Sequence, residues 1–323
     1  MRFRSLLLAG IMQGALLAPC ALLAQDADVK PIPKTVKVDE KKAALGEKLY
    51  NDKRLSADNT VSCASCHALH KGGTDRLPVS AGIKSQNGPI NSPTVFNSEH
   101  NFVQFWDGRA KDLQAQAQGP VENPLEMGEK WPVVVEKLKA DPDYVKAFKE
   151  SYGGKISKET VSAAIAEYEK TLITPDSRFD QFLTGKKDAL TPQEQRGYAL
   201  FVEKGCNSCH AGTYFGGSSY QQLNPDYFKD RGGKITDADL GRFNVTKKEE
   251  DKHFFKVPML RNVAVTAPYF HDGKVKTLEQ AVKLMSKYQL GEEFNDKDTK
   301  DVAAFLKSLT GTYKGVPLDK VQP

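Results

Sequence analysis

The chain spends little on cysteine, tryptophan, methionine or histidine: five Cys, two Trp, five Met and six His in 323 residues. Beyond its first two dozen residues it has no long hydrophobic run, which argues against a membrane span in the mature chain. No segment alternates apolar and polar side chains for long, so strands have little to build on. A charge excess is also lacking. The net charge of +5 is too small to imply nucleic acid, and the lysines are spread rather than clustered. What is present, 39% hydrophobic and 27% charged residues, describes an ordinary globular protein, long for one domain and comfortable for two.

The scarce cysteines fall into a pattern. One is Cys20; the other four form Cys63-Ala64-Ser65-Cys66-His67 and Cys206-Asn207-Ser208-Cys209-His210, so no structural disulfide is left to make. Two thiols three residues apart can each add across a haem vinyl group, and the histidine that follows reaches the iron from one side. A thiol–disulfide pair does not require that histidine, and no further Cys or paired-His motif completes a zinc tetrad. Two copies of C-x-x-C-H therefore read as a c-type cytochrome with two covalently bound haems, with His67 and His210 as the proximal iron ligands.

Residues 1–24 read as a secretory signal: Arg2 and Arg4 form a basic start, an apolar stretch runs from Leu6 to about Leu23, and small residues follow around Ala24. A membrane anchor is the rival, but the run is short and broken by Gln13, Gly14 and Pro19. Cys20 after Leu17-Ala18-Pro19 hints at lipoprotein processing, against which the adjacent proline speaks. Removal of the segment lowers the net charge to +3, since Arg2 and Arg4 are its only charged residues. An exported chain whose mature cysteines are all committed to haem fits a bacterial periplasm.

Residues 25–38 look like an extended lead-in. A helix from about Asp39 carries Ala44, Leu45, Lys48 and Leu49, a loop delivers the first haem motif, and Lys71 to Ser92 is rich in loop formers. Asp141-Pro142 opens a short helix and Ser157 caps one that runs to about Thr171, with Val161, Ala164, Ile165, Tyr168 and Leu172 on one face. Thr191-Pro192-Gln193-Glu194 is a capping box that leads into the second haem motif. Thr277-Leu278-Glu279-Gln280 is another, on a helix that ends near Gly291. A last helix spans about Lys297 to Leu309, with Gly311 placed to end it. The expected fold is mainly α: two cytochrome c-like domains, 39–185 and 186–311, each wrapping one haem c, the haems facing a domain interface, then a tail, 312–323.

The halves repeat. Pro93, Asn97, Phe105, Asp107, Gly108 and Leu113 recur at one constant offset as Pro258, Asn262, Phe270, Asp272, Gly273 and Leu278, so the chain reads as a duplicated unit. The copies then differ. On the helix after the second repeat stands Met285, by spacing a core residue, but also a thioether able to cap the second haem's far side. Its offset equivalent in the first half is Pro120. The first half instead offers Gln116 and Glu126. A carboxylate beside an open iron position can take a proton from hydrogen peroxide and return it to the departing oxygen; the plainer reading of both residues is solvated surface. Trp106 is either core or a π-system between two redox centres.

With the haem motifs, Gly88-Pro89-Ile90-Asn91-Ser92-Pro93-Thr94-Val95-Phe96-Asn97, Gln104-Phe105-Trp106-Asp107-Gly108-Arg109 and Leu260-Arg261-Asn262-Val263 through Gly273, the chain resembles the bacterial dihaem cytochrome c peroxidases from about Asp39 to Gly311. The resemblance implies a periplasmic oxidoreductase that reduces hydrogen peroxide to water with electrons from a small cytochrome c or a cupredoxin, and a homodimer. It makes the haem on Cys63, Cys66 and His67 the peroxidatic one, and that on Cys206, Cys209, His210 and distal Met285 the electron-transfer one. Glu126 matches the acid–base carboxylate, Gln116 the distal glutamine and Trp106 the tryptophan between the haems. Asn91, Thr266 and Pro268 match calcium-binding positions, the latter two through backbone carbonyls; hard oxygen donors suit that ion. Many members carry a loop histidine that ligates the peroxidatic iron at rest. The matching residue here is Ile83, which cannot bind iron, so activity is expected without prior reduction. His70 and His100 are the nearest substitutes.

Two other classes stay open at this point. One is a dihaem electron carrier, which needs both irons saturated. The other is a MauG-like dihaem oxidase acting on a partner protein, whose relatives have a tyrosine where Met285 stands.

Overall fold

The computed structural model describes residues 29–323. The signal segment, Cys20 and the start of the lead-in lie outside the described residues. The chain is mainly helical. The first half holds α1 Glu40–Asn51, α2 Cys63–Cys66, α3 Leu113–Glu122, α4 Trp131–Lys139, α5 Pro142–Tyr152 and α6 Lys158–Glu169. The second holds α7 Arg178–Leu183, α8 Pro192–Glu203, α9 Pro225–Arg231, α10 Phe243–Thr246, α11 Leu278–Gln289 and α12 Asp296–Ser308. Among the described residues, strands are confined to two short antiparallel pairs, β1 Tyr220–Gln222 with β2 Phe254–Lys256 and β3 Thr312–Tyr313 with β4 Val316–Pro317. No helix among the described residues is long and apolar enough to cross a membrane.

The caps fall where the sequence places them. Asp39 accepts the N–H groups of Lys41 and Lys42 at the start of α1, and Ser157 and Thr191 close reciprocal boxes on α6 and α8. Two expectations change. Thr277 accepts the Gln280 N–H, yet no bond returns from the Gln280 side chain, so α11 has half a box. Gly311 does not terminate α12, whose C-cap is Leu309 in right-handed helical conformation. A Cβ on Gly311 would lie 2.0 Å from the Thr174 carbonyl oxygen, so the glycine is there for a close backbone approach.

The duplication is built into the backbone. In each half a helix before the haem motif crosses a later one at a glycine. A Cβ on Gly46 of α1 would stand 1.9 Å from Ala164 O on α6, and one on Gly197 of α8 would stand 1.8 Å from Asp301 O on α12. The repeat residues share strained conformations: Asn97 and Asn262, then Phe105 and Phe270, all have positive φ, and Gln104↔Ala110 and Tyr269↔Val275 form matching bridges. Such φ values are uncommon outside glycine, so their recurrence in pairs supports common descent of the two units.

Each half has its own apolar cluster. One joins Leu45, Leu49, Tyr50, Val161, Ile165 and Leu172; the other joins Phe179, Phe201, Phe215, Phe305 and Leu309. The last residues are no free tail. Tyr313 and Leu318 return to the first cluster, and the Tyr313 ring meets Phe96 edge-on at 5.2 Å. Where the halves meet, the buried Thr174 hydroxyl accepts the Nδ2–H of both Asn97 and Asn262, each at 2.8 Å.

Candidate haem sites

The first motif is one helical turn capped by Ser62 and Ser65. Cys63 and Cys66 stand half-buried on it, one turn apart and joined by no disulfide. His67 follows as the C-cap of that turn, its carbonyl accepting the Tyr50 hydroxyl at 2.6 Å. Its Nδ1 lies 3.0 Å from the Pro93 carbonyl. Donation there fixes the tautomer and leaves Nε2 as the ring nitrogen for a metal, the arrangement expected of a metal-binding imidazole. The second motif repeats this: His210 Nδ1 lies 3.1 Å from the Phe215 carbonyl, and burial lowers the basicity of both rings.

Around the second motif the structure opens a cavity of about 570 Å³, lined by Cys206, Cys209, His210 and Met285 together with Trp106 and Leu260. A void of this size, walled by apolar side chains and ending in two thiols and an imidazole, fits a haem. Met285 comes to it because α11 begins at the capping residue Thr277 and buries Leu278, Val282 and Ser286, which brings position 285 onto the cavity wall.

The first half brings different groups together. Glu126 sits in the turn that leaves α3, where Met127 N–H bonds back to Pro120 O. Its Oε1 accepts Asn123 Nδ2 at 2.6 Å. Burial raises its pKa above the ordinary carboxylate value, opposed by the Arg109 charge and by that hydrogen bond, and its own field reaches Cys63 and Cys66. It is no solvated surface carboxylate. Gln116 is half-buried on α3, and its side chain has no hydrogen-bond partner among the described residues. Ile83 lies 6% exposed in the first apolar cluster, its N–H bonded to Glu126 O at 2.8 Å. Of the two candidate substitutes, His100 stacks on Tyr214 of the second half, with ring centroids 4.3 Å apart, and His70 sits in the turn just after the motif.

Trp106 links the halves. Its Nε1–H donates to Asn91 O at 2.9 Å, while its ring lines the second cavity beside Phe255 and His271. Asn91 donates through Nδ2 to Leu77 O and Pro78 O, and its N–H bonds His271 O at 2.7 Å. Asn91 Oδ1 and the carbonyls of Thr266 and Pro268 accept no hydrogen bond among the described residues. Loop 72–78 touches both the Val265–Thr266 turn and Gly273.

Sequence reasoning missed two features. Asp239, His271 and Asp272 form a buried cluster of metal-ligating type, but Arg231 donates to both carboxylates and already supplies the cation. Lys256 is buried in the second cavity wall. No spacing signal marks either, since Arg231 and Asp239 meet only after folding.

A helical chain with two C-x-x-C-H motifs, each histidine fixed at Nδ1, is by class a two-haem c-type cytochrome. The family model for di-haem cytochrome c peroxidase matches residues 40–188. Cytochrome c551 peroxidase of Nitrosomonas europaea is 44% identical over 311 residues, covering 96% of this chain and 92% of that protein. Cytochrome c peroxidase Ccp of Escherichia coli is 53% identical over 294 residues, 90% of this chain, which spans only 63% of that longer relative. Among solved structures, a MauG-like protein associated with microbial copper homeostasis superposes with a TM-score of 0.77 at 28% identity, over 88% of this chain and 93% of the other. The chain belongs to the di-haem cytochrome c peroxidase family.

Proposed function

We propose that the protein is a periplasmic peroxidase that reduces hydrogen peroxide to water with electrons from a small cytochrome c or a cupredoxin. The observation that carries this is the asymmetry between the halves. A thioether, Met285, lines the second site with His210, whereas the first half has a half-buried carboxyl, Glu126, whose field reaches Cys63 and Cys66, and an isoleucine at position 83. The domain division at 185/186, calcium held by Asn91, Thr266 and Pro268, and a homodimer belong to the same reading.

Haem bound at the two motifs supplies iron that exchanges electrons with peroxide at one centre and with the donor at the other. The residues do the rest. His67 and His210 are held at Nδ1 by Pro93 O and Phe215 O, which leaves Nε2 as the nitrogen that would hold the iron. Glu126 takes the proton from the near oxygen of peroxide and delivers it to the departing one; its raised affinity for the proton suits a group that must both accept and donate. The Gln116 amide orients the substrate. Met285, on the wall of the second cavity, would close that centre to peroxide, and Trp106 lines the same cavity while its Nε1–H bonds Asn91 O of the first half. With two electrons and two protons, one peroxide gives two waters.

Glu126→Gln is expected to lower steady-state turnover by about 10²–10⁴-fold while leaving both haem spectra unchanged; retained turnover refutes the acid–base assignment. The parent protein, assayed fully oxidised with a reduced cytochrome c, is expected to turn over from first mixing. A lag that only prior half-reduction removes overturns the reading of Ile83.

A further inference from the structure

Lys256 ends β2 beside Trp106, whose carbonyl accepts its N–H at 2.8 Å. The residue is 7% exposed and lines the cavity that holds Cys206, Cys209, His210 and Met285. Its side chain makes no hydrogen bond, ion pair or ring contact among the described residues. No aspartate or glutamate lines this cavity. Burial alone pushes the Lys256 amine down to about 8, with no neighbouring charge acting on it. A buried ammonium without a partner is strongly disfavoured, so a lysine here needs an anion that the polypeptide does not provide. The other long side chains facing the cavity that carry polar groups, Gln221, Gln222 and Gln289, are neutral.

We propose that Lys256 is the positioning residue of the second haem, pairing its ammonium with a haem carboxylate and fixing a positive charge beside the electron-transfer iron. The proposal rests on the reading of that cavity as a haem site. Haem carries carboxylates on its periphery, so the one group the cavity is built to take also supplies the missing counter-charge. A fixed cation near the iron favours the reduced state, which adds to the effect of a Met285 thioether. The place of Lys256 next to Trp106 puts that charge on the side of the cavity facing the first half.

The test is a spectroelectrochemical titration of the holoenzyme, following each haem separately, with haem content measured first. Missing haem at Cys206/Cys209 in the parent protein would refute the haem-site reading itself. With both haems present, Lys256→Met is expected to shift the reduced-to-oxidised ratio of the second haem at fixed poise at least tenfold towards oxidised, about 59 mV for one electron, with the first haem unmoved. Lys256→Arg is expected to stay within threefold of the parent. An unshifted second haem in Lys256→Met overturns the proposal. Should Lys256→Met not assemble, the parent and Lys256→Arg decide it by the pH dependence of the second haem's potential from 6 to 9. His210, His271, Tyr269 and Tyr288 also face the cavity, so the comparison isolates the lysine. A break near 8 in the parent that is absent from Lys256→Arg means an unpaired amine and refutes the pairing. Profiles of the same shape in both support it.

Discussion

At the scale of single residues, the informative groups are those buried with an ionisable atom unpaired. Glu169 is 5% exposed on α6, and its Oε2 has no hydrogen-bond partner. Burial and the nearby Glu99 push its carboxyl up to about 8, from an ordinary 4.5. The folded chain therefore keeps this proton where the unfolded chain has lost it. Below about pH 4.5 the group does not distinguish the two states. Between there and about 8 it costs stability as pH rises, by roughly 1.4 kcal/mol per unit, and above 8 the loss is complete. Glu169→Gln removes that slope. Unfolding of variant and parent from pH 5 to 9 is expected to show a stability difference in favour of the variant that grows with pH, while parallel curves refute it. Glu126 differs in having Asn123 as a partner and Arg109 as an opposing charge, which suits a group that works on protons rather than storing one.

At the scale of elements, the two helix crossings carry the haem motifs. Gly46 and Gly197 let α1 meet α6, and α8 meet α12, at backbone contact, so each motif leaves its helix at a defined angle to the core. Gly46→Ala places a methyl 1.9 Å from Ala164 O, and backbone has to move to admit it. The expected loss is about 1–3 kcal/mol, read as a lowered unfolding midpoint, and Gly197→Ala is expected to behave alike. An unchanged midpoint in either variant means that the crossing is looser than described. Each glycine stands on the helix before its haem motif; that both are crossing points appears only when the partner helices are placed against them.

At the scale of the whole molecule, one hydroxyl ties the copies together. Thr174 Oγ1 accepts from Asn97 and Asn262, the paired asparagines of the repeat, and Asn262 Oδ1 also accepts Gly311 N–H. Thr174→Val leaves two buried amide donors unpaired and is expected to cost about 2 kcal/mol or more in denaturant unfolding, with Thr174→Ser close to the parent. Equal stability of the valine variant would mean that the halves are held by other contacts. The returning C-terminus adds to the join, since Leu318 is wholly buried in the first half's cluster although it follows the second half in sequence.

The sequence by itself determined what short spacing encodes. Haem attachment is five adjacent residues, each cap is four, and the inequality of the two centres is readable as Met285 against Pro120 at one offset. These are local because the chemistry needs its groups on neighbouring residues. Tertiary structure decided which charges are buried and what neutralises them. Arg231 is matched to Asp239 and Asp272, Glu169 is left with an orphan oxygen, Lys256 faces a cavity without a carboxylate, and Glu126 becomes a shielded acid rather than a surface one. Desolvation depends on every atom packed around a group, contributed by distant parts of the chain, and no window of sequence contains that sum.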